Sequence, residues 1–80
     1  MTGAEIEQTL NEEAKNFLAL HKRSAKLIIL GENTFNQLLD YLAKQGRSDR
    51  FYKTGTSYQW QNMEVFCDFG SVERIELFGN

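Results

Sequence analysis

The sequence has no proline in 80 residues, where ordinary usage of about 5% would supply roughly four. It has one cysteine, Cys67, and one histidine, His21. A lone cysteine excludes an internal disulfide framework and a cysteine-rich zinc site within one chain. The compartment expected from that usage is a reducing, cytoplasmic one. Long apolar runs are also missing. None is longer than the run at residues 27–30, far short of the roughly 20 residues needed to cross a bilayer. Residues 1–7 are acidic and carry no apolar stretch of the signal-peptide kind, so neither a membrane span nor a leader is expected. The net charge is only −2, too small for a polyanionic mimic of nucleic acid and of the wrong sign for a dedicated binder of it.

What is present is ordinary in proportion, with 41% hydrophobic and 25% charged residues. This composition argues against a disordered chain. The length fits a single domain over residues 1–80. Ten aromatics (six Phe, three Tyr, one Trp) offer much buried area per residue ordered. Domains of this size often gain stability by association, so a protein partner or self-association is expected.

Periodicity gives the elements. Thr2 and Glu5 fit a capping box, and Ile6, Leu10, Ala14, Phe17, Leu18 and His21 recur at gaps of three and four. The spacing predicts a helix over 3–22. Residues 26–30 form a β-branched run ending at Gly31, which reads as an internal strand covered on both faces. Asn33 or Thr34 can cap a second helix over 34–45, whose stripe is Phe35, Leu38, Leu39 and Leu42, with Gly46 suited to its end. Residues 46–57 are the softest stretch, with Phe51-Tyr52-Lys53 as a short strand turning at 54–56, or else a loop.

Beyond it, Tyr58 and Trp60 alternate with Gln59 and Gln61. Met63, Val65, Cys67 and Phe69 share a face opposite Glu64 and Asp68, and Ile75 and Leu77 alternate with Arg74 and Glu76. Turns at 61–62 and 70–71 suggest an antiparallel meander of two hairpins. The expected fold is therefore α+β. Two amphipathic helices pack on a mixed, mainly antiparallel sheet of four to five strands, in the chain order α-β-α-(β)-β-β-β. Phe66 on the polar side of its strand, and Phe78, suggest that the second sheet face meets the N-terminal helix or a partner.

Charge is segregated along the chain. Residues 1–20 carry −3, 21–30 carry +3, 31–46 carry −1, 47–57 carry +2 and 58–80 carry −3. The basic group Arg47, Arg50 and Lys53 lies near Tyr52, Tyr58 and Trp60, a combination that suits single-stranded nucleic acid, where stacking gives about 1–3 kcal/mol per base. The acidic pI near 5.3 disfavours that reading. Gly31-Glu32-Asn33-Thr34 is far from a phosphate-binding loop, and Glu32 would repel an anion. His21 beside Lys22 and Arg23 suits a helix C-terminus. Cys67 on an apolar face reads as a structural thiol, and a Cys67–His21 nucleophilic pair has no third orienting group. Glu64 and Asp68, about 13 Å apart along a strand, exceed both glycosidase geometries. A hard-cation site at Asp68, Glu73 and Glu76 has no ligand spacing to support it. No catalytic residue, metal or cofactor is expected.

The run from Lys26 to Gly31 leads into a helix, and the segment 63–68 leads into a final strand over 74–79. In this the chain resembles small accessory proteins encoded by bacteriophages and prophages. The likeness covers about half of the chain. It implies a virion component or an inhibitor of a host protein, and with it a virion as an alternative location. The composition and spacing together point to a non-enzymatic protein-interaction module, with Phe51, Tyr52, Tyr58 and Trp60 as its expected surface. The alternative is a single-stranded nucleic-acid binder using residues 47–60.

Overall fold

The structure is a computed structural model that describes residues 2–55 and 57–79. In chain order its elements are α1 (Gly3–His21), β1 (Leu27–Gly31), α2 (Glu32–Lys44), a 3-10 turn (Ser48–Arg50), β2 (Tyr52–Thr54), β3 (Ser57–Trp60), β4 (Met63–Asp68) and β5 (Ile75–Phe78). The expected α+β architecture is the one observed. Its optional strand at 51–53 is present as β2, so the sheet has five strands. The turn expected at 54–56 falls partly outside the described residues.

Local chemistry explains the helix boundaries. Thr2 caps α1: its hydroxyl accepts from the Glu5 N–H at 3.2 Å, and the Thr2 N–H donates to Glu5 Oε1 at 2.9 Å. Both orphan donors are satisfied reciprocally. Lys22 ends α1 in the left-handed region (φ 60°), with its N–H on the Leu18 carbonyl. At the end of α2, Gly46 takes φ 70°. There the Arg47 N–H donates to the Leu42 carbonyl and the Gly46 N–H to that of Ala43, the Schellman pattern that favours glycine.

The start of α2 differs from expectation. The helix begins at Glu32 with Gly31 as its N-cap, and no side chain caps it. The Glu32 N–H donates instead to the Ser71 carbonyl and the Asn33 N–H to that of Val72. A segment 39 residues further along replaces the local cap, so Thr34 is free to turn inward and is buried.

The strand order is β2-β3-β4-β1-β5. β1 runs parallel to β4, in register from Leu27 opposite Glu64 to Gly31 opposite Asp68, and antiparallel to β5, with Leu27 opposite Phe78 and Leu30 opposite Ile75. β1 is internal, as its apolar run implies. The second hairpin of the expected meander is absent, because β4 and β5 are not neighbours. The segment 69–74 crosses the end of β1, and β5 pairs on the far side. The first hairpin stands: β3 and β4 join at Gln61 (φ 49°) and Asn62 (φ 69°). Two successive left-handed residues are the pattern of the tight type I′ turn, whose twist matches paired strands.

The core lies between the helices and one sheet face. Ile6 and Leu10 of α1 and Phe35, Leu38 and Leu42 of α2 meet Ile28, Leu30, Trp60, Met63 and Val65 of the sheet, all buried. Strand side chains alternate between faces, so Leu27, Ile29, Glu64, Phe66, Asp68, Glu76 and Phe78 point the other way. β1 is thus covered on one face only, and α1 does not lie on the second face as one expectation had it. Both helices share the first face.

Candidate interaction face

The face without helices has an apolar centre. By register, Leu27 sits between Glu64 of β4 and Phe78 of β5, and Ile29 sits between Phe66 and Glu76. Leu27, Ile29 and Phe78 are half-buried, while Phe66 is 42% exposed. None of the four packs against the helix-side core. Solvated faces of antiparallel sheets usually alternate cleanly to polar residues, and four apolar side chains around β1 break that rule. Tyr52 (52% exposed) and Gln59 extend the row toward the β2 edge. Lys26, Leu27, Glu64 and Phe66 line a shallow hollow of about 280 Å³ at the start of β1.

The other end of the face is built by the crossing segment. An ideal Cβ on Gly31 would lie 2.7 Å from the Val72 carbonyl oxygen and 2.8 Å from the Arg74 nitrogen. The side-chain direction of Gly31 is that of Leu27 and Ile29, so the crossing segment forms a ledge over this end of the face. Asp68 organises the ledge. It accepts from the Gly70 N–H at 2.9 Å, from the Ser71 hydroxyl at 2.9 Å and from Arg74 Nη1 at 2.8 Å. Arg74 Nε also donates to Glu76 Oε1 at 2.8 Å. Arg74, followed by the Gly70 and Ser71 donors, lowers the Asp68 pKa, and Arg74 lowers that of Glu76. Phe69 and Val72 on the segment are strongly exposed.

The residues expected to form the interaction surface separate. Trp60 (1% exposed) and Phe51 (2% exposed) belong to the core. Phe51, Phe35 and Tyr58 form an edge-to-face triad with ring centroids 5.0–5.2 Å apart, which leaves Tyr58 half-buried. Only Tyr52 reaches the open face. Alternation places Trp60 and Tyr58 together, but it cannot tell which face the helices take. The signal that does locate the site is Phe66 and Phe78 standing among polar neighbours.

The basic group separates as well. Arg47 makes a bidentate pair with Glu7 of α1, Nη1 to Oε2 at 3.0 Å and Nη2 to Oε1 at 2.9 Å, and sits 5.7 Å from the Tyr41 ring centroid. The Glu7 hydrogen bonds raise its pKa. Arg50 and Lys53 remain exposed. With Trp60 buried, the expected stacking platform keeps Tyr52 alone.

The remaining constellations acquire structural partners. His21 stacks on Phe17 with centroids 4.2 Å apart. Burial, then the charges of Glu32 and Asp68, push the Cys67 thiol up, opposite to the shift that activates a nucleophile. The N–H groups opening α2 that an anion would need are bonded to Ser71 and Val72. Among the described residues there is no group of three metal-ligating side chains and no helix long and apolar enough to span a membrane. Comparison of the chain with protein-family models, curated proteins and solved structures finds no match.

Proposed function

We propose that this protein is a small non-enzymatic protein-binding module and that the open sheet face is its binding surface. The observation that carries the reading is the cluster of Leu27, Ile29, Phe66 and Phe78, which the core does not use and no helix covers. Apolar side chains gathered on one face and rimmed by polar groups mark interaction surfaces more often than singly scattered ones do. Aromatic anchors such as Phe66 and Tyr52 are the residue types that contribute most to such contacts. The virion or inhibitor role implied by the phage likeness also requires a face of this kind.

The test is site-specific photo-crosslinking in the cells that make the protein. A benzoylphenylalanine in place of Phe66 is expected to give a discrete protein adduct. The same group in place of Glu12, exposed on α1, is expected to give none. Absence of any adduct at position 66 would overturn the proposal.

A further inference from the structure

We infer that a cavity on the helix side of the sheet binds a small amphipathic anion, an aliphatic chain that carries a carboxylate head. The site lies apart from the open sheet face and does not depend on it.

The fold builds the walls. Asn11, Ala14, Lys15 and Leu18 recur at gaps of three and four, so they share one face of α1 and form one wall. Lys22 ends α1 in the left-handed region (φ 60°), and the chain returns through Ala25 and Lys26 as a second wall. The tight turn at Gln61 and Asn62 closes one end. It is tied to α1 by the Gln61 amide, which donates to Asn11 Oδ1 at 3.4 Å. Side-chain size leaves the space open. In the α1 stripe Ala14 stands between Leu10 and Phe17, and the second wall offers only the small Ala25. The resulting cavity holds about 580 Å³, within the range of about 300–1,000 Å³ usual for small-molecule sites.

The lining has two parts. Its apolar part is Ala25 and Met63, both buried, with Leu18 at 49% exposure. Its charged part is Lys15 and Lys26, one on each wall, and neither makes an ion pair among the described residues. The second wall belongs to residues 21–30, the segment that carries +3. Among the described residues no Asp or Glu lines the cavity. Glu64, next to Met63, points to the open face by strand alternation. Two ammonium groups without a counter-charge, set over an apolar floor, are complementary to a negative head on an apolar body. The side-chain amides of Asn11 and Asn62 can donate to the carboxylate oxygens. A phosphate head is served less well, since no arginine fork lines the walls.

Titration of the purified chain with sodium octanoate, followed through backbone amide NMR shifts, tests this. A ligand of about ten non-hydrogen atoms binds with about millimolar strength. Saturable shifts are expected at residues 14, 18, 25 and 63. Octanol lacks the charge and acetate lacks the chain, so each is expected to bind about tenfold more weakly or worse. Lys15→Gln combined with Lys26→Gln is expected to weaken octanoate about tenfold. Both lysines are exposed, so this pair tests charge with the fold intact. Ala14→Leu, which fills the space, is expected to abolish binding, and Glu12→Gln to change nothing. The inference is overturned by the absence of saturable shifts at those residues, by octanol binding as tightly as octanoate, or by binding that survives loss of both lysines. Shifts centred on Leu27, Ile29 and Phe66 overturn it too, because they assign the ligand to the open face. None of these results bears on capture of a protein at position 66.

Discussion

The Arg74 guanidinium reaches past Gly31 to Asp68 Oδ2 at 2.8 Å, joining β5 to β4 although β1 lies between them. The contact depends on the crossing segment lying close over Gly31. Gly31→Ala would put a methyl group 2.7 Å from the Val72 carbonyl oxygen, against backbone that is itself hydrogen-bonded to α2. Overpacking of this kind costs about 1–3 kcal/mol. Chemical denaturation of the variant is expected to show a loss in that range, and unchanged stability would mean that the segment does not pack there.

The same ion network sets an acid response. Asp68 and Glu76 have pKa values lowered in the fold by Arg74, and Glu5 is lowered by the Thr2 N–H and hydroxyl. A lowered folded-state value means that the unfolded chain binds protons first. Their contribution is complete above the ordinary carboxylate range, near pH 4–5 by about the usual values, and declines as the pH falls through it. Asp68→Asn is expected to flatten the acid side of the stability–pH curve. An identical acid slope in the variant would remove Asp68 from the account.

Arg47 and Glu7 tie the end of α2 to α1 through two parallel hydrogen bonds, with side-chain exposures of 30% and 18%. Lys44 and Asp40 make one contact on the outer surface of α2 at 75% and 65%. Geometry and partial shielding favour the first pair, since isolated surface pairs contribute little. Double-mutant cycles are expected to give a clear coupling for Arg47–Glu7 and almost none for Lys44–Asp40. Equal couplings would contradict this.

The turn joining β3 and β4 holds Gln61 in the left-handed region, which suits asparagine or glycine better than glutamine. Gln61→Asn combined with Asn62→Gly is expected to raise stability by about 0.5–2 kcal/mol. A fall in the melting temperature would indicate that the Gln61 amide, which donates to Asn11 Oδ1 at 3.4 Å, matters more than backbone strain.

Trp60 and Leu42 report on the core. Trp60 fluorescence is expected to be blue-shifted, poorly quenched by acrylamide and unchanged by single-stranded oligonucleotides at low salt. Leu42→Ala, at a fully buried position, is expected to cost about 2–5 kcal/mol. Salt-sensitive quenching of Trp60 by an oligonucleotide would require its side chain to leave the core.

The helices and the internal place of β1 are legible in the sequence because their signals are local. The Thr2–Glu5 box, the stripe from Ile6 to Phe17 and Gly46 after Leu42 each act within a few residues. The place of β5 is not legible, because a turn at 70–71 followed by alternation looks the same whether the strand returns beside β4 or crosses beyond β1. The apolar demand of β1 for a second neighbour decides it, and that demand is non-local. The cap of α2 escaped for the same reason, since its acceptors are Ser71 and Val72. For the candidate face, Phe66 and Phe78 were visible as misfits among polar residues. Trp60 and Phe51 are buried, which the sequence does not show, because an aromatic side chain reads alike whether it anchors a core or a surface.

The placement of β1 between β4 and β5 has a consequence for the order of folding. β1 pairs with residues 64–68 and 75–78, so the apolar strand made early in synthesis waits for the last part of this sequence before both its edges are closed. Helices α1 and α2 can form on the ribosome, but a nascent chain halted before residue 75 exposes one backbone edge of β1 beside Leu27 and Ile29. Non-local pairing of this kind slows folding, and exposed edges invite misassembly. Chains truncated within 69–74 are therefore expected to aggregate rather than persist as smaller folded units.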